Sequence, residues 1–266
     1  MDSEGFDRRK FLKGAASVLA TGSGLGLLGS QRLRSKHDIY KYSGVPEKFL
    51  DDPEFYDRLT QYSPETEVER FEPGERNMIL DYHVVGDFSR LDHITNVVEH
   101  DFEQMGINVT SLQSPRNYQR DWFLENYGLE QNEIVGGGKG VFNALISKND
   151  SFWAEQTDEV LKEAAIQVIY IEEPEDYPDG VGLTDHTGSG SYGGVSIGDR
   201  TAVFVNSISD YGDYESFFNS TINVTEHEIA HSLGLDHEEG TIMNPSLGSK
   251  RRDFDQRQVE KILDSF

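Results

Sequence analysis

Thr225-Glu226-His227-Glu228-Ile229-Ala230-His231-Ser232-Leu233-Gly234-Leu235-Asp236-His237 is the stretch that decides how the whole chain is read. If it is helical, His227 and His231 stand four residues apart and project from one face. Two imidazoles so placed can reach one Zn²⁺ at about 2.0–2.1 Å. Glu228 lies about 100° round the helix from His227, beside a metal rather than on it. A carboxylate there can take a proton from a metal-bound water. Gly234 falls about one turn beyond His231, where a residue without Cβ can enter the left-handed conformation and end the helix. The chain can then turn back and bring His237 in as a third ligand. Three neutral imidazoles leave the metal cationic with one open position, the arrangement of a catalytic zinc.

Outward from this segment, the next signal is Thr241-Ile242-Met243-Asn244-Pro245. Met243 alone reads as a core methionine filling an irregular gap; only its place after the histidines lifts it above that. Together, His227-Glu228-x-x-His231-x-x-Gly234-x-x-His237 and the following Met-x-Pro resemble the metzincin zinc endopeptidases, and most of all their matrixin branch. The resemblance covers about 19 residues. It implies His227, His231 and His237 as zinc ligands, Glu228 as general base and Met243 as the Met-turn residue that floors the metal without binding it. It also implies an α/β (α+β) fold: a twisted mixed sheet, an active-site helix, and a small C-terminal subdomain with the Met-turn and a terminal helix. Three features depart from the pattern. Glu238 follows the third histidine where matrixins usually carry Ser or Thr, and Glu there is more astacin-like. His237 and Met243 are only six residues apart. The cysteines that archaemetzincins use near this site are missing, because the chain has no cysteine at all.

That absence also excludes a disulfide framework, a thiolate metal site, a cysteine nucleophile and a cysteine switch. The 266 residues carry 48 Asp and Glu against 24 Lys and Arg, a formal charge of −24. So acidic a chain is no nucleic-acid binder, which would need a basic face. The self-repulsion calls for screening by salt, and with Lys scarcer than Arg it resembles the proteins of salt-loving microbes, haloarchaea above all, the alternative being an ordinary acidic mesophilic protein.

Residues 1–30 break the acidity. Asp2, Glu4 and Asp7 stand against Arg8, Arg9, Lys10 and Lys13, a net of +1. The adjacent arginines precede a short Ala-, Gly- and Leu-rich run, and the whole resembles a twin-arginine signal peptide. The run is too short to span a bilayer, which needs about 20 residues. The expectation is export to the extracellular space, with no stable membrane insertion once the signal is removed; an uncleaved signal would keep the protein at the membrane. Residues 31–75 are polar and interrupted by Pro46, Pro53, Pro64 and Pro73, which reads as an N-terminal extension or pro-segment without a core of its own.

Residues 76–266 form the catalytic domain on this reading. Strands are expected over 78–85, 107–112, 142–146, 166–171 and 201–206, and amphipathic helices over 91–105 and 151–165. Strands alternating with helices predict a mixed, mainly parallel sheet. Asp253-x-x-Gln256 is expected to cap a final helix carrying Val259, Ile262, Leu263 and Phe266. The resemblance further places the 201–206 strand at the upper edge of the substrate cleft. Val203, Phe204, Val205 and Asn206 then face substrate, joined by Tyr192 from the preceding loop. Acidic loops such as that of Asp210, Asp213 and Glu215 could hold Ca²⁺, although a solvated acidic face explains them equally well.

The function expected is a secreted, monomeric, zinc-dependent endopeptidase acting on peptide or protein substrates. Two alternatives stand beside it: a processing peptidase of narrow specificity, and a zinc-stabilised binding module without turnover.

Overall fold

A computed structural model describes residues 42–62, 70–88, 91–112, 117–128, 151–152, 155–156, 158, 160–172, 194–197, 200–205, 208, 214–244 and 250–266. The expectations for residues 1–30, the 142–146 strand, Tyr192 and Asn206 lie outside these.

The centre of the fold is β1 (Asn77–Val85), whose nine residues are all buried. A strand covered on both faces belongs inside a parallel sheet. β1 is flanked by β2 (Asn108–Leu112), by the short β3 (Asn117–Tyr118) beyond it on the same strand's far end, and by β4 (Ala165–Ile171). β6 (Arg200–Phe204) follows β4 in parallel, and β5 (Gly194–Ile197) pairs antiparallel with β6. The order β2-β1-β4-β6-β5 is therefore a mixed sheet with one reversed strand.

Helices cover both faces. Met78, Leu80 and Tyr82 of β1 point to one side, with Ile166, Val168 and Tyr170 of β4. There they meet Ile94, Val98 and Phe102 of α3 (Leu91–Gln104) and Ile222, Ile229 and Ala230 of α6 (Tyr214–Ser232). Ile242, Met243 and Ile262 of α7 (Gln256–Leu263) belong to the same cluster. The intervening β1 residue Ile79 points to the other face, as strand periodicity requires. It packs with Leu112, Ala165 and residues of the N-terminal extension: Phe49 and Leu50 of α1 (Glu47–Leu50), Phe55 and Leu59 of α2 (Pro53–Tyr62), and Phe71. Farther along that face α4 (Arg120–Tyr127) contributes Phe123 and Tyr127, against Val85, Ile169 and Ile171.

Two local expectations change. Within 151–165 residues 151, 152, 155 and 156 are helical as expected, but the helix is broken at Asp158 and Val160, resumes only for α5 (Leu161–Ala164), and Ala165 already opens β4. The Asp158 carboxylate accepts the Val160 N–H at 2.9 Å, a side-chain bond that competes with a continuous helix. The final helix is capped by Asp255, not Asp253: its carboxylate accepts the Gln258 N–H at 2.8 Å and the Gln258 side chain accepts the Asp255 N–H at 3.2 Å. The strand expected over 201–206 is β6, and its place in the sheet bears on the substrate residues below.

Candidate metal centre

α6 runs for 19 residues and carries Glu226, His227, Glu228 and His231. Its end is built by hydrogen bonds of the Schellman type: Leu235 N–H to the Ala230 carbonyl and Gly234 N–H to the His231 carbonyl, both at 2.9 Å. Gly234 has φ of 88°, the left-handed value that a side chain would resist. The turn does more than stop the helix. It exposes the Leu235 carbonyl, which lies 2.7 Å from His231 Nδ1. The Ile242 carbonyl lies 2.8 Å from His227 Nδ1. A carbonyl only accepts, so both Nδ1 atoms carry the hydrogen and both Nε2 atoms present bare lone pairs.

Those lone pairs converge. The Nε2 atoms of His227 and His231 are 3.0 Å apart, those of His231 and His237 3.1 Å, and those of His237 and His227 3.2 Å. Two nitrogens at tetrahedral positions on one zinc would stand about 3.3–3.4 Å apart. The donor set therefore fits a zinc ion within a few tenths of an ångström. His227 and His231, with their hydrogens committed to carbonyls, gain nothing from facing each other, whereas a cation among the three nitrogens satisfies them. These three histidines are the metal-capable cluster among the described residues. His227 is buried, His231 half-buried and His237 exposed, so the site opens to solvent on the His237 side. Burial pulls the His227 imidazole down to about 4, which keeps it neutral and ready to ligate.

Glu228 is 7 % exposed and stands outside the cluster of converging nitrogens. Burial pushes its carboxyl up to about 8. Met243 is fully buried. Its carbonyl accepts the Glu238 N–H at 2.8 Å, which closes the loop that begins beside His237.

Of the residues expected to face substrate, Val203, Phe204 and Val205 are among those described. β6 lies between β4 and β5, which pair with it over 200–204 and 200–203 respectively. Val203, Phe204 and Val205 are buried, at 0 %, 1 % and 5 % exposure, and their side chains belong to the core. Among the described strands the open edge on that side is β5. The single antiparallel strand was invisible in the sequence because residues 179–199 have the Gly-rich composition of a loop. A cavity of about 550 Å³ lined by Gly86, Tyr118 and Glu172 among others shares no residue with the histidine site.

Sequence reasoning also missed a set of buried polar partners. Glu226, immediately before His227, is fully buried and paired with Arg251. Asn223, one turn earlier, is fully buried and donates to the Lys250 carbonyl at 2.7 Å. Nothing in local spacing links residue 226 to residue 251. A buried-side Glu in a helix that otherwise faces the core was the one available signal.

No protein-family model and no curated protein matches the chain. Among solved structures it is similar to the archaemetzincin of Methanopyrus kandleri, determined at 1.5 Å resolution, with 16 % identity and a TM-score of 0.48 over 73 % of this chain and 98 % of that one. It is also similar to a zinc-dependent peptidase from Methanocorpusculum labreanum strain Z, with 14 % identity and a TM-score of 0.42 over 70 % and 99 % of the two chains.

Proposed function

We propose that the chain is a zinc-dependent endopeptidase. The observation that carries this reading is the convergence of three imidazole Nε2 atoms at 3.0–3.2 Å, with a buried carboxyl group on the residue after the first. His227, His231 and His237 would hold the metal. Bound zinc would lower the pKa of a coordinated water towards about 7 and polarise a peptide carbonyl. Glu228 supplies the proton path: one carboxylate oxygen takes the water proton as the oxygen attacks, and returns it to the departing amine nitrogen. A carboxyl lifted by burial and lowered again by a neighbouring positive charge can both accept and donate near neutral pH. No covalent intermediate with a protein side chain is required.

Within this reading the branch is matrixin-like metzincin, on the strength of the motif from His227 to Met243, with Met243 as the floor beneath the metal. The peptide is proposed to lie extended along β5, whose outer edge is unpaired among the described strands and which packs beside α6. Export by the twin-arginine route is supported by Arg8 and Arg9 ahead of the short apolar run. A saline working environment is supported by the charge of −24. Among the described residues no helix is long and apolar enough to cross a membrane.

The test is cleavage of casein or a peptide library at high salt by the wild type and by Glu228→Gln, with zinc content measured in both. The variant should retain zinc and lose at least about 10²-fold in rate, the usual worth of a positioned general base. Full activity of a zinc-loaded variant would refute the role given to Glu228. A wild type that binds zinc yet cleaves nothing would leave a binding module in place of the enzyme.

A further inference from the structure

The loop from His237 to Met243 is short, and its closure converges on one hydroxyl group. Thr241 Oγ1 donates to the Glu238 carbonyl at 3.0 Å. It accepts the Met243 N–H at 3.1 Å and the Gln258 Nε2–H at 2.7 Å. A hydroxyl has one hydrogen and two acceptor positions, so Thr241 is saturated. Its own carbonyl accepts the Asn244 N–H and the Arg252 Nη1–H, both at 3.1 Å. The residue is therefore fixed through side chain and backbone alike.

Gln258 is fixed in turn. It is 2 % exposed and occupies the third position of α7. Its Oε1 accepts the Asp255 N–H in the capping box while its Nε2 reaches Thr241. Reversing the amide would set its NH₂ against the Asp255 N–H, donor against donor, so the helix cap dictates which end of the amide faces the loop. The start of the last helix is thus wired to the loop beside the third histidine.

Between Thr241 and Met243 sits Ile242, whose carbonyl receives His227 Nδ1–H. That bond decides which nitrogen of His227 is bare. We infer that Thr241, oriented by Gln258, is a positioning residue of the metal centre: it holds the Ile242 carbonyl where His227 must present Nε2 to the ion. The inference rests on the zinc reading above. It assigns the Thr241–Gln258 pair to ligand orientation, not to catalysis, because neither residue is among the converging nitrogens. Groups that orient a metal-bound imidazole typically carry 10–100-fold in metal affinity.

The experiment is zinc affinity by competition with a chromophoric chelator, for the whole chain and for Thr241→Val, Thr241→Ser and Gln258→Glu. Thr241→Val keeps shape and removes the hydroxyl. Gln258→Glu keeps an acceptor for the helix cap and removes the donor to Thr241. Both should weaken zinc binding by about 10–100-fold, and Thr241→Ser should restore most of it. Thermal melting of the metal-free forms is the companion measurement, since a role limited to loop packing would lower that midpoint and leave the affinity of the folded protein unchanged. Should Thr241→Val fail to fold, Gln258→Glu decides. Wild-type affinity in the variants, or Thr241→Ser as weak as Thr241→Val, would overturn the inference while leaving the metal site intact. A wild type that takes up no zinc would overturn both.

Discussion

Arg251 grips Glu226 with both terminal nitrogens, Nη1 to Oε2 at 2.8 Å and Nη2 to Oε1 at 2.6 Å, one residue before the first of the converging histidines. The Glu226 side chain is 1 % exposed and that of Arg251 25 %. Burial drives the Glu226 carboxyl upward and the guanidinium draws it back. Arg251 also donates to Asn223 Oδ1 at 2.8 Å and pairs with Asp101 of α3. One side chain thus ties α3, α6 and the segment leading to α7 together behind the metal centre.

Removing that side chain strands a buried carboxylate. Arg251→Ala should cost about 3–5 kcal/mol in urea unfolding, the usual penalty for breaking one side of a buried pair. Arg251→Lys should recover only part of it, because an ammonium cannot form the two-pronged contact. A loss below about 1 kcal/mol in the alanine variant would place this pair with ordinary surface bridges and contradict its structural role.

The converging nitrogens imply that the ion contributes to stability as well as chemistry. A ligand that binds only the folded chain, at about a thousand times its dissociation constant, adds about 4 kcal/mol. For a domain of this size that corresponds to a rise on the order of 10 °C in melting temperature. Melts with zinc and with a strong chelator should differ by this order, and His231→Ala should abolish the difference. Coincident melts would contradict the assignment of the three histidines.

Glu99 on α3 offers a pH test away from the metal. Burial raises its carboxyl to about 7, partly offset by a hydrogen bond from Ser111 and reinforced by Glu103. An acid whose folded value lies above its ordinary 4.5 favours the folded state while protonated. That contribution is whole below about pH 4.5 and is lost as the pH rises through about 7. Glu99→Gln should therefore gain stability relative to the wild type across that interval. The difference in melting temperature plotted against pH should climb and then level off; a flat difference would refute the assignment.

Local periodicity and spacing were enough to read β1, α3, β2, β4 and the histidine helix, since each is specified by residues near in sequence. The left-handed Gly234 and the return of His237 were legible for the same reason. What escaped depended on distant partners. Whether β6 is an edge or an interior strand is set by β5, a Gly-containing stretch whose strand state comes from pairing alone. The clamp between Glu226 and Arg251 and the bond from Gln258 to Thr241 join residues 25 and 17 positions apart. The residues of the extension look uncommitted in a polar, proline-broken stretch. Phe55 and Leu59 nonetheless stand four apart, one helical face with no partner in their own segment.

The acidity predicts a salt requirement. At about 0.1 M salt the screening length is about 10 Å, and at about 1 M it is about 3 Å. With a net charge of −24, repulsion across the surface should weaken steeply between those concentrations. The melting temperature should rise with KCl over this range and activity should follow it. Full stability and activity in dilute buffer would remove the case for a saline habitat.

The extension raises the question whether it can be removed, and its contacts argue that it stays. Phe55 and Leu59 are 0 % exposed, and they pack with Ile79, Leu112 and Ala165 of the sheet. Tyr42 reaches farther. Its N–H donates to the carbonyl of Ser232, the last residue of α6, at 3.0 Å. Its hydroxyl donates to the Ala164 carbonyl at 3.0 Å and accepts the Ile79 N–H at 3.2 Å. The segment therefore covers one face of the sheet and also bonds to the end of the helix that carries the histidines. Phe55→Ala should cost about 3–5 kcal/mol. Tyr42→Phe should cost about 1–3 kcal/mol, because it leaves two buried backbone groups without their partner. A chain starting at residue 76 should accordingly fail to give a cooperative melt, and zinc should not rescue it. If that shortened chain melted cooperatively at the full-length temperature and cleaved substrate faster, the extension would be a removable pro-segment after all.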